Sequence, residues 1–278
     1  CGRGQPVSME NVRSVRRLCN RYGKSLFLDV CRFAENSWFV KAREEAYKDK
    51  SIAAIVKELF SLCDGFTISL KKDGLANMGG ALLIKKRSPI AKEHPHLLNA
   101  LRDHQILTEG HPTYGGLTGR DIMTNGEGLK TAITEQYLEN RIRQVHGLGN
   151  YLKSRGVPVL APFGGHAVYI DMDEFFKGTT LKREDFGSIA FTGLLLLKGV
   201  RLCELGAFAF GVDCPQNFVR AALPRNKYEM EDIYYVGDCI TALYERRADI
   251  PKAVVTYGAD LSLRHFKARF ELQEKKVP

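Results

Sequence analysis

Long apolar stretches are what this sequence most plainly lacks. No run of about 18 apolar residues occurs in the 278-residue chain, so no membrane-spanning helix is expected. The seven cysteines are odd in number and form no C-x-x-C pair, which argues against a disulfide framework or a zinc site. Residues 1–6 lack the charged-then-apolar order of a secretion signal. We therefore expect a reducing, cytoplasmic location.

A net charge of +9 raises the question of nucleic-acid binding. Arg13, Arg16, Arg17 and Arg21 follow one another at helical spacing, as in a helix that tracks phosphates. Other basic runs are distant in sequence, and no nucleic-acid-binding motif accompanies them. Charges spread over solvated helices explain this composition better, because net charge speaks to solubility more than to a specific function. We expect neither a nucleic-acid nor a membrane partner.

Alternating strand and helix signals predict an α/β fold for the first half of the chain. Ser8 is placed to cap a helix whose apolar side chains recur on one face. Residues 25–30 and 65–70 read as buried strands with helical material between them, and such a unit has parallel strands. A further strand is predicted at 79–84, and residues 94–128 are predicted to be rich in loops.

The second half of the chain has a different order of predicted helices and strands. A helix predicted at residues 131–155 leaves the first domain, and an α+β alternation follows. The later predicted elements are a strand at 165–171, a helix at 185–198, strands at 201–204 and 217–223, and a helix at 230–246. We therefore predict two domains, residues 1–145 and residues 146–278.

Polar side chains gather where the two parallel strands end. The first strand ends in the polar residues between Asp29 and Arg32, and the second ends in those between Ser69 and Asp73, which include Lys71 and Lys72. Ligands of open α/β sheets bind beyond the carboxyl ends of the strands, so these residues are candidates for one site. A lysine beside another cation can act as a Schiff-base nucleophile, and pyridoxal 5′-phosphate (PLP) needs a carboxylate against its ring nitrogen. A solvated basic turn beside an unrelated aspartate is the alternative.

Seven blocks of sequence carry a stronger signal. They are Gly4-Gln-Pro-Val-Ser-Met9, Asp29-Val-Cys-Arg-Phe-Ala-Glu-Asn36, Ser69-Leu-Lys-Lys-Asp73 with Met78-Gly-Gly80, Pro112-Thr-Tyr-Gly-Gly116, Gly164-Gly-His-Ala167, Arg220-Ala-Ala-Leu-Pro-Arg225 and Leu263-Arg-His-Phe266. In this order the chain resembles the β-eliminating aromatic amino-acid lyases, the family of tryptophanase and tyrosine phenol-lyase. The resemblance implies PLP-dependent fold type I, the aspartate-aminotransferase-like fold, with the C-terminal part of the large domain and a small α+β domain.

The resemblance also implies a role for each strand-end residue. Lys72 is expected to bind PLP covalently and to act as a base, and Asp29 is expected to pair with the ring nitrogen. Arg32 is expected near the ring oxygen. Ser69 and Lys71 are expected near the phosphate.

Other positions bear on the substrate and on a cation. By resemblance, Arg220 binds the substrate carboxylate, and Asn77 matches a position that helps to hold a monovalent cation such as K⁺. Leu205 stands where the phenol-lyases have an arginine, and His265 stands where tryptophanases have a histidine. A histidine near the ring can assist protonation of the leaving carbon, so His265 is a catalytic and substrate-binding candidate and tryptophan is favoured over tyrosine. A packed surface histidine is the alternative.

The family pattern also includes a long stretch before the position of Gly4. We therefore expect either one segment of a longer or split enzyme, with the missing part as a separate chain, or a truncated relative. The truncated relative would be a catalytically silent PLP-fold subunit or scaffold. The expected partners are an amino acid and further copies of the protein, because the family forms homotetramers of catalytic dimers.

Overall fold

A computed structural model describes residues 4–273 of the chain. Contacts divide them into two compact units. The first unit is residues 6–140, and the second unit is residues 141–273 with residues 4–5. In this described part, no helix is both long and apolar enough to cross a membrane.

The first unit combines a three-stranded sheet with helices. Its elements are α1 (Met9–Arg21), β1 (Phe27–Asp29), α2 (Phe33–Arg43), α3 (Ile52–Ser61), β2 (Gly65–Ser69), β3 (Gly80–Ile84), α4 (Pro89–Glu93), α5 (Leu97–Thr108) and α6 (Gly119–Ala132). The sheet order is β1-β2-β3, with β1 and β2 parallel and β3 antiparallel to β2. The predicted parallel strand–helix–strand unit is confirmed.

Three helices of this unit, α1, α3 and α4, begin with serine caps, and the predicted cap at Ser8 is confirmed. Ser8 Oγ accepts a hydrogen bond from the N–H of Asn11 at 3.1 Å, and Ser51 Oγ accepts one from the N–H of Ala54 at 3.2 Å. Such caps satisfy N–H groups that have no partner inside the helix. The apolar faces of α1 and α3 then pack into one core with β2 and α2.

The prediction that residues 94–128 are rich in loops is wrong, because α5 and most of α6 lie there. No residue of α5 is buried, so this helix lacks the buried apolar face that marks a helix in sequence. α6 contains Gly126 and Gly128, which have low helix propensity. A Cβ at Gly128 would lie 1.8 Å from the carbonyl oxygen of Gly74. The glycine therefore allows α6 to pack directly against the loop that follows β2.

The predicted helix at 131–155 is interrupted, since α6 ends at Ala132 and the next helix begins at Glu135. The remaining elements are α7 (Glu135–Ser154), β4 (Ala167–Asp171), α8 (Met172–Phe175), α9 (Gly187–Leu196), β5 (Cys203–Leu205), α10 (Ala207–Phe210), β6 (Phe218–Ala222), α11 (Met230–Glu245), β7 (Lys252–Tyr257), α12 (Arg264–Lys267) and β8 (Arg269–Gln273). Strands β4, β6 and β5 form an antiparallel sheet in that order, and β7 pairs with β8.

One face of the β4-β6-β5 sheet packs on the core of the second unit. Val168, Ile170, Val219 and Ala221 point into a cluster that includes side chains of α9 and α11. Successive residues of a strand point to opposite faces, so Arg220 lies on the other face. The chain is a mixed α/β protein, and the predicted domain boundary at residues 145/146 stays a prediction.

Candidate active site

The carboxyl ends of β1 and β2 lie side by side in the first unit. The strands pair in parallel with Asp29 opposite Thr67, and Ser69 ends β2 two residues later. Residues that follow the two strands therefore meet at one edge of the sheet, where ligands of α/β proteins bind. We call the predicted residues at this edge the strand-end cluster: Asp29, Arg32, Ser69, Lys71 and Lys72.

Cys31 connects the two strand ends. Its N–H donates to Asp29 Oδ1 at 3.1 Å, and its Sγ accepts from the N–H of Ser69 at 3.1 Å. Its carbonyl accepts from the N–H of Asp73 at 3.3 Å. This turn residue is thus bonded to both strand ends and to the residue after Lys72. Sequence reasoning missed Cys31, and its place two residues after Asp29 was the only available signal.

The surroundings of Asp29 keep its carboxyl group ionised. Hydrogen bonds from the Cys31 thiol and from the Cys31 N–H lower the pKa of Asp29; burial opposes them, and the charges of Lys72 and Arg32 add smaller lowering effects. Burial raises the pKa of the Cys31 thiol, and the hydrogen bond to Asp29 raises it further. The thiol therefore keeps its proton at neutral pH and can donate to the carboxylate. An ionised carboxylate of this kind suits a protonated ring nitrogen.

The loop formed by residues 70–79, which we call the lysine loop, is tightly constrained. Leu75 has a φ of 53°, a region that residues with a Cβ rarely adopt. Asp73 is fully buried, Lys72 is half-buried and Lys71 is exposed. Strained backbone persists where the surrounding structure enforces it, and it concentrates at functional sites.

Asn77 lies exposed in the lysine loop. Across the described residues, no group of three or more His, Cys, Asp or Glu side chains is placed to hold a metal ion. Hard cations also take backbone and amide oxygens as ligands. The role of Asn77 at a monovalent cation stays a prediction.

Arg32 has a buried donor without a protein partner. Its Nε is shielded from solvent and makes no hydrogen bond within residues 4–273, although buried N–H groups nearly always have an acceptor. A ligand oxygen next to Asp29 would satisfy it. The cluster therefore offers an amine, an ionised carboxylate, an unpartnered guanidinium nitrogen and a serine. These groups match the aldehyde, ring nitrogen, ring oxygen and phosphate of PLP.

Arg220 lies on the middle strand of the sheet in the second unit. It is opposite Tyr169 on β4 and Cys203 on β5, so the three side chains share one face. Phe218 and Leu205 lie on the same face and pack with Tyr169. The Nε of Arg220 is buried and has no partner in the described part of the chain. An arginine fork among apolar side chains suits a carboxylate whose remainder is apolar.

His265 lies on α12, where its ring centroid is 3.8 Å from that of Phe266. The preceding residue, Arg264, donates from Nε to the carbonyl of Phe208 at 2.9 Å. Phe208 belongs to α10, which begins two residues after Leu205, so the segments of His265 and Leu205 are joined. Within residues 4–273, His265 makes no hydrogen bond or ion pair with Arg220.

Comparison with known proteins gives consistent matches. A family model described as β-eliminating lyase matches residues 1–226. The chain is 40% identical over 277 residues to a tryptophanase of Hyphomonas neptunium, covering 97% of this chain and 59% of the relative. It is 38% identical over 275 residues to a tyrosine phenol-lyase of Intrasporangium calvum, covering 96% and 56%. It is 40% identical over 278 residues to a probable tryptophanase of Aeropyrum pernix, covering 96% and 57%.

Two facts follow from these matches. The chain spans between 56% and 59% of the length of these relatives. Its identity to the tryptophanases and to the phenol-lyase is nearly equal, at 40% and 38%. Overall similarity therefore does not choose between the two activities.

Proposed function

Because the chain belongs to the β-eliminating lyase family, we propose that it is a PLP-dependent lyase of aromatic amino acids, with tryptophan favoured. The reaction cleaves the bond between Cβ and the aromatic ring and, with water, yields pyruvate, ammonia and the aromatic compound. The observation that carries this proposal is the strand-end cluster. There a lysine, an ionised carboxylate and an unpartnered arginine nitrogen lie at one edge of a sheet.

Bound PLP supplies an electron sink when its ring nitrogen is protonated. Lys72 Nζ holds the cofactor covalently. The Asp29 carboxylate holds the proton at the ring nitrogen, and its lowered pKa supports this role. Arg32 Nε donates to the ring oxygen, and the Ser69 hydroxyl and the Lys71 ammonium bind the phosphate.

Lys72 would also act as a base toward the substrate. Its Nζ takes the proton from the substrate Cα, since a positioned amine is an effective general base. The half-buried state of Lys72 and the fixed backbone of the lysine loop support this role.

Arg220 anchors the substrate through its carboxylate. Two parallel N–H donors of the guanidinium match the two carboxylate oxygens, and this fixes orientation as well as charge. The unpartnered Nε supports the role, because a buried donor in need of an acceptor favours binding of an oxygen ligand.

Leu205 and His265 contact the aromatic leaving group of the substrate and determine which ring is accepted. Leu205 contributes an apolar side chain, so a phenol hydroxyl gains no hydrogen bond from this position. His265 assists protonation of the leaving carbon, which an indole requires before it departs. Both residues favour tryptophan, and tyrosine is the alternative substrate.

We extend the proposal to the assembly. β3 is an outer strand whose Leu82 and Leu83 are 47% and 44% exposed. An outer strand with exposed apolar side chains is a surface for pairing with further polypeptide. It supports an assembly with other copies of the chain, as a homotetramer of catalytic dimers. K⁺ at Asn77 belongs to the same proposal.

The function is tested by fixing the cofactor to its lysine. The purified protein is incubated with PLP, reduced with borohydride and digested for peptide mapping. We expect the pyridoxyl group on Lys72 in the wild-type protein and in Lys57→Ala, a control at an exposed lysine of α3. Lys72→Ala is expected to carry no label and to lose the visible absorbance of the bound cofactor.

Label on Lys71, or none on the wild-type protein, would contradict the proposal. Label on Lys72 without pyruvate release from any aromatic amino acid would instead favour a catalytically silent scaffold with the same fold.

A further inference from the structure

The first turn of α2 takes its cap from another part of the chain. Helix N-termini carry N–H groups that need acceptors, and α1 and α3 use their own serines. The residue before α2 is Arg32, and its side chain does not cap. Instead, Asp73 Oδ2 accepts from the N–H of Ala34 at 2.8 Å and from the N–H of Glu35 at 3.3 Å.

Asp73 ties the lysine loop to this turn through both its side chain and its backbone. The N–H of Asp73 donates to the carbonyl of Cys31 at 3.3 Å, and Cys31 in turn donates to Asp29 at 3.1 Å. Asp73 is fully buried, so its carboxylate is shielded from competing water. The residue next to Lys72 is thereby bonded on two sides to the segment that carries Asp29 and Arg32.

We propose that Asp73 is a positioning residue that aligns the Lys72 amine with the Asp29 carboxylate by clamping the lysine loop to the start of α2. The inference rests on the proposed function and adds a residue to it. A cap alone does not need to come from the lysine loop, because a serine at the N-cap would serve, as it does in α1 and α3. A carboxylate at a helix N-terminus also gains from the helix dipole and forms strong charge-assisted hydrogen bonds.

The test compares Asp73→Asn with Ser51→Ala. Asp73→Asn keeps the size of the side chain and one acceptor oxygen but removes the charge. Ser51→Ala removes a cap of the same unit that lies outside the lysine loop. For each variant we measure urea denaturation, hydrogen exchange of the Ala34 and Glu35 amides, PLP affinity, and the pH at which the absorbance of the bound cofactor titrates.

We expect both variants to be less stable than the wild-type protein. Only Asp73→Asn is expected to speed exchange at Ala34 and Glu35, to weaken PLP binding by about tenfold and to shift the titration of the cofactor absorbance. A tenfold loss corresponds to ~1.4 kcal/mol, just under the range of about 1.5–3 kcal/mol for a hydrogen bond to a charged group, as expected when the amide keeps one acceptor oxygen. Equal PLP affinity and titration in both variants would overturn the inference and leave Asp73 as a helix cap.

A second variant keeps the test decisive if Asp73→Asn does not fold. Asp73→Glu retains the charged cap but moves the loop backbone by one methylene. Protected Ala34 and Glu35 amides with weakened PLP binding would support alignment, whereas wild-type PLP binding would contradict it. Absence of pyridoxyl label on Lys72 in the wild-type protein and in Ser51→Ala would instead count against the proposed function.

Discussion

Arg220 has a feature that lysine lacks, a planar fork of N–H donors that meets both oxygens of a carboxylate. Arg220→Lys keeps the positive charge but removes this geometry. We expect kcat/KM to fall by about tenfold to hundredfold, since a hydrogen bond to a charged group contributes about 1.5–3 kcal/mol. The fall should be similar for tryptophan, tyrosine and S-alkylcysteines, because all share the α-carboxylate. Steady-state kinetics on the three substrates measures it.

Specificity residues provide the control for Arg220. Leu205→Arg and His265→Phe should change the order of preference among these substrates, with some gain on tyrosine for Leu205→Arg. If Arg220→Lys lowers kcat/KM for one substrate and leaves it unchanged for the others, Arg220 contacts the leaving group, and its assignment to the carboxylate is wrong.

Single residues also show how far sequence reasoning reached. Asp29 and Lys72 were predictable because Asp29 ends one strand and Lys72 follows the next, and parallel pairing places both strand ends at one edge. Cys31 and Asp73 were not singled out, since their contacts depend on backbone N–H groups and carbonyls that only the folded turn brings together. The proposed roles of all these residues stay predictions.

At the scale of elements, α10 depends on a buried carboxylate. Glu204 Oε1 accepts from the N–H of Phe208 at 3.2 Å, and Oε2 accepts from the N–H of Ala209 at 3.1 Å. Burial nevertheless raises the pKa of Glu204 above its ordinary value of 4.5, against the lowering effect of these hydrogen bonds. The folded state therefore holds this proton more tightly than the unfolded state does.

The sign of the resulting pH dependence follows from this shift. The contribution of Glu204 to stability is greatest below pH 4.5, the unfolded value, and is lost as the pH rises through the folded value. Glu204→Gln has no proton to lose, so the stability of wild-type protein relative to the variant should fall with rising pH across that window. Urea denaturation from about pH 4.5 to pH 8 measures the difference. Glu174→Gln, at an exposed carboxylate, is the control, and wild-type and Glu204→Gln curves that stay parallel would contradict the prediction.

The elements that the sequence pattern predicted are stabilised differently from the elements that it missed. α1, α3 and β2 have caps or buried apolar side chains that a pattern reveals, and β1 lies between the buried Leu26 and Val30. β7 and β8 were missed for different reasons: β7 does not alternate strictly between apolar and polar residues, and β8, which does alternate, is short and mostly exposed. α6 was hidden by Gly126 and Gly128, and the need for Gly128 appears only when the lysine loop is seen against it.

At the scale of the whole molecule, the net charge of +9 leaves open whether the basic residues form a surface for nucleic acid. Three arginines of α1 are neutralised by carboxylates of the first unit. Arg16 pairs with Asp64 at 2.5 Å, Arg17 pairs with Glu10 at 2.8 Å, and Arg13 pairs with Glu58. Three of the four arginines in the row that most resembles a phosphate-tracking helix are thus paired with carboxylates in the fold.

These ion pairs predict weak binding of duplex DNA that depends strongly on salt. We expect a Kd weaker than about 10⁻⁵ M at 150 mM salt by fluorescence anisotropy, within the range of non-specific binding. Glu10→Gln releases Arg17 and should steepen the dependence of log Kd on log salt by up to about one unit. Glu271→Gln changes the net charge equally at an exposed carboxylate of β8 and is the matched control.

Submicromolar binding by the wild-type protein at 150 mM salt would establish a nucleic-acid surface, because non-specific attraction alone does not reach that affinity. Equal salt slopes for the two variants would show that net charge, rather than the arginine row, governs the attraction.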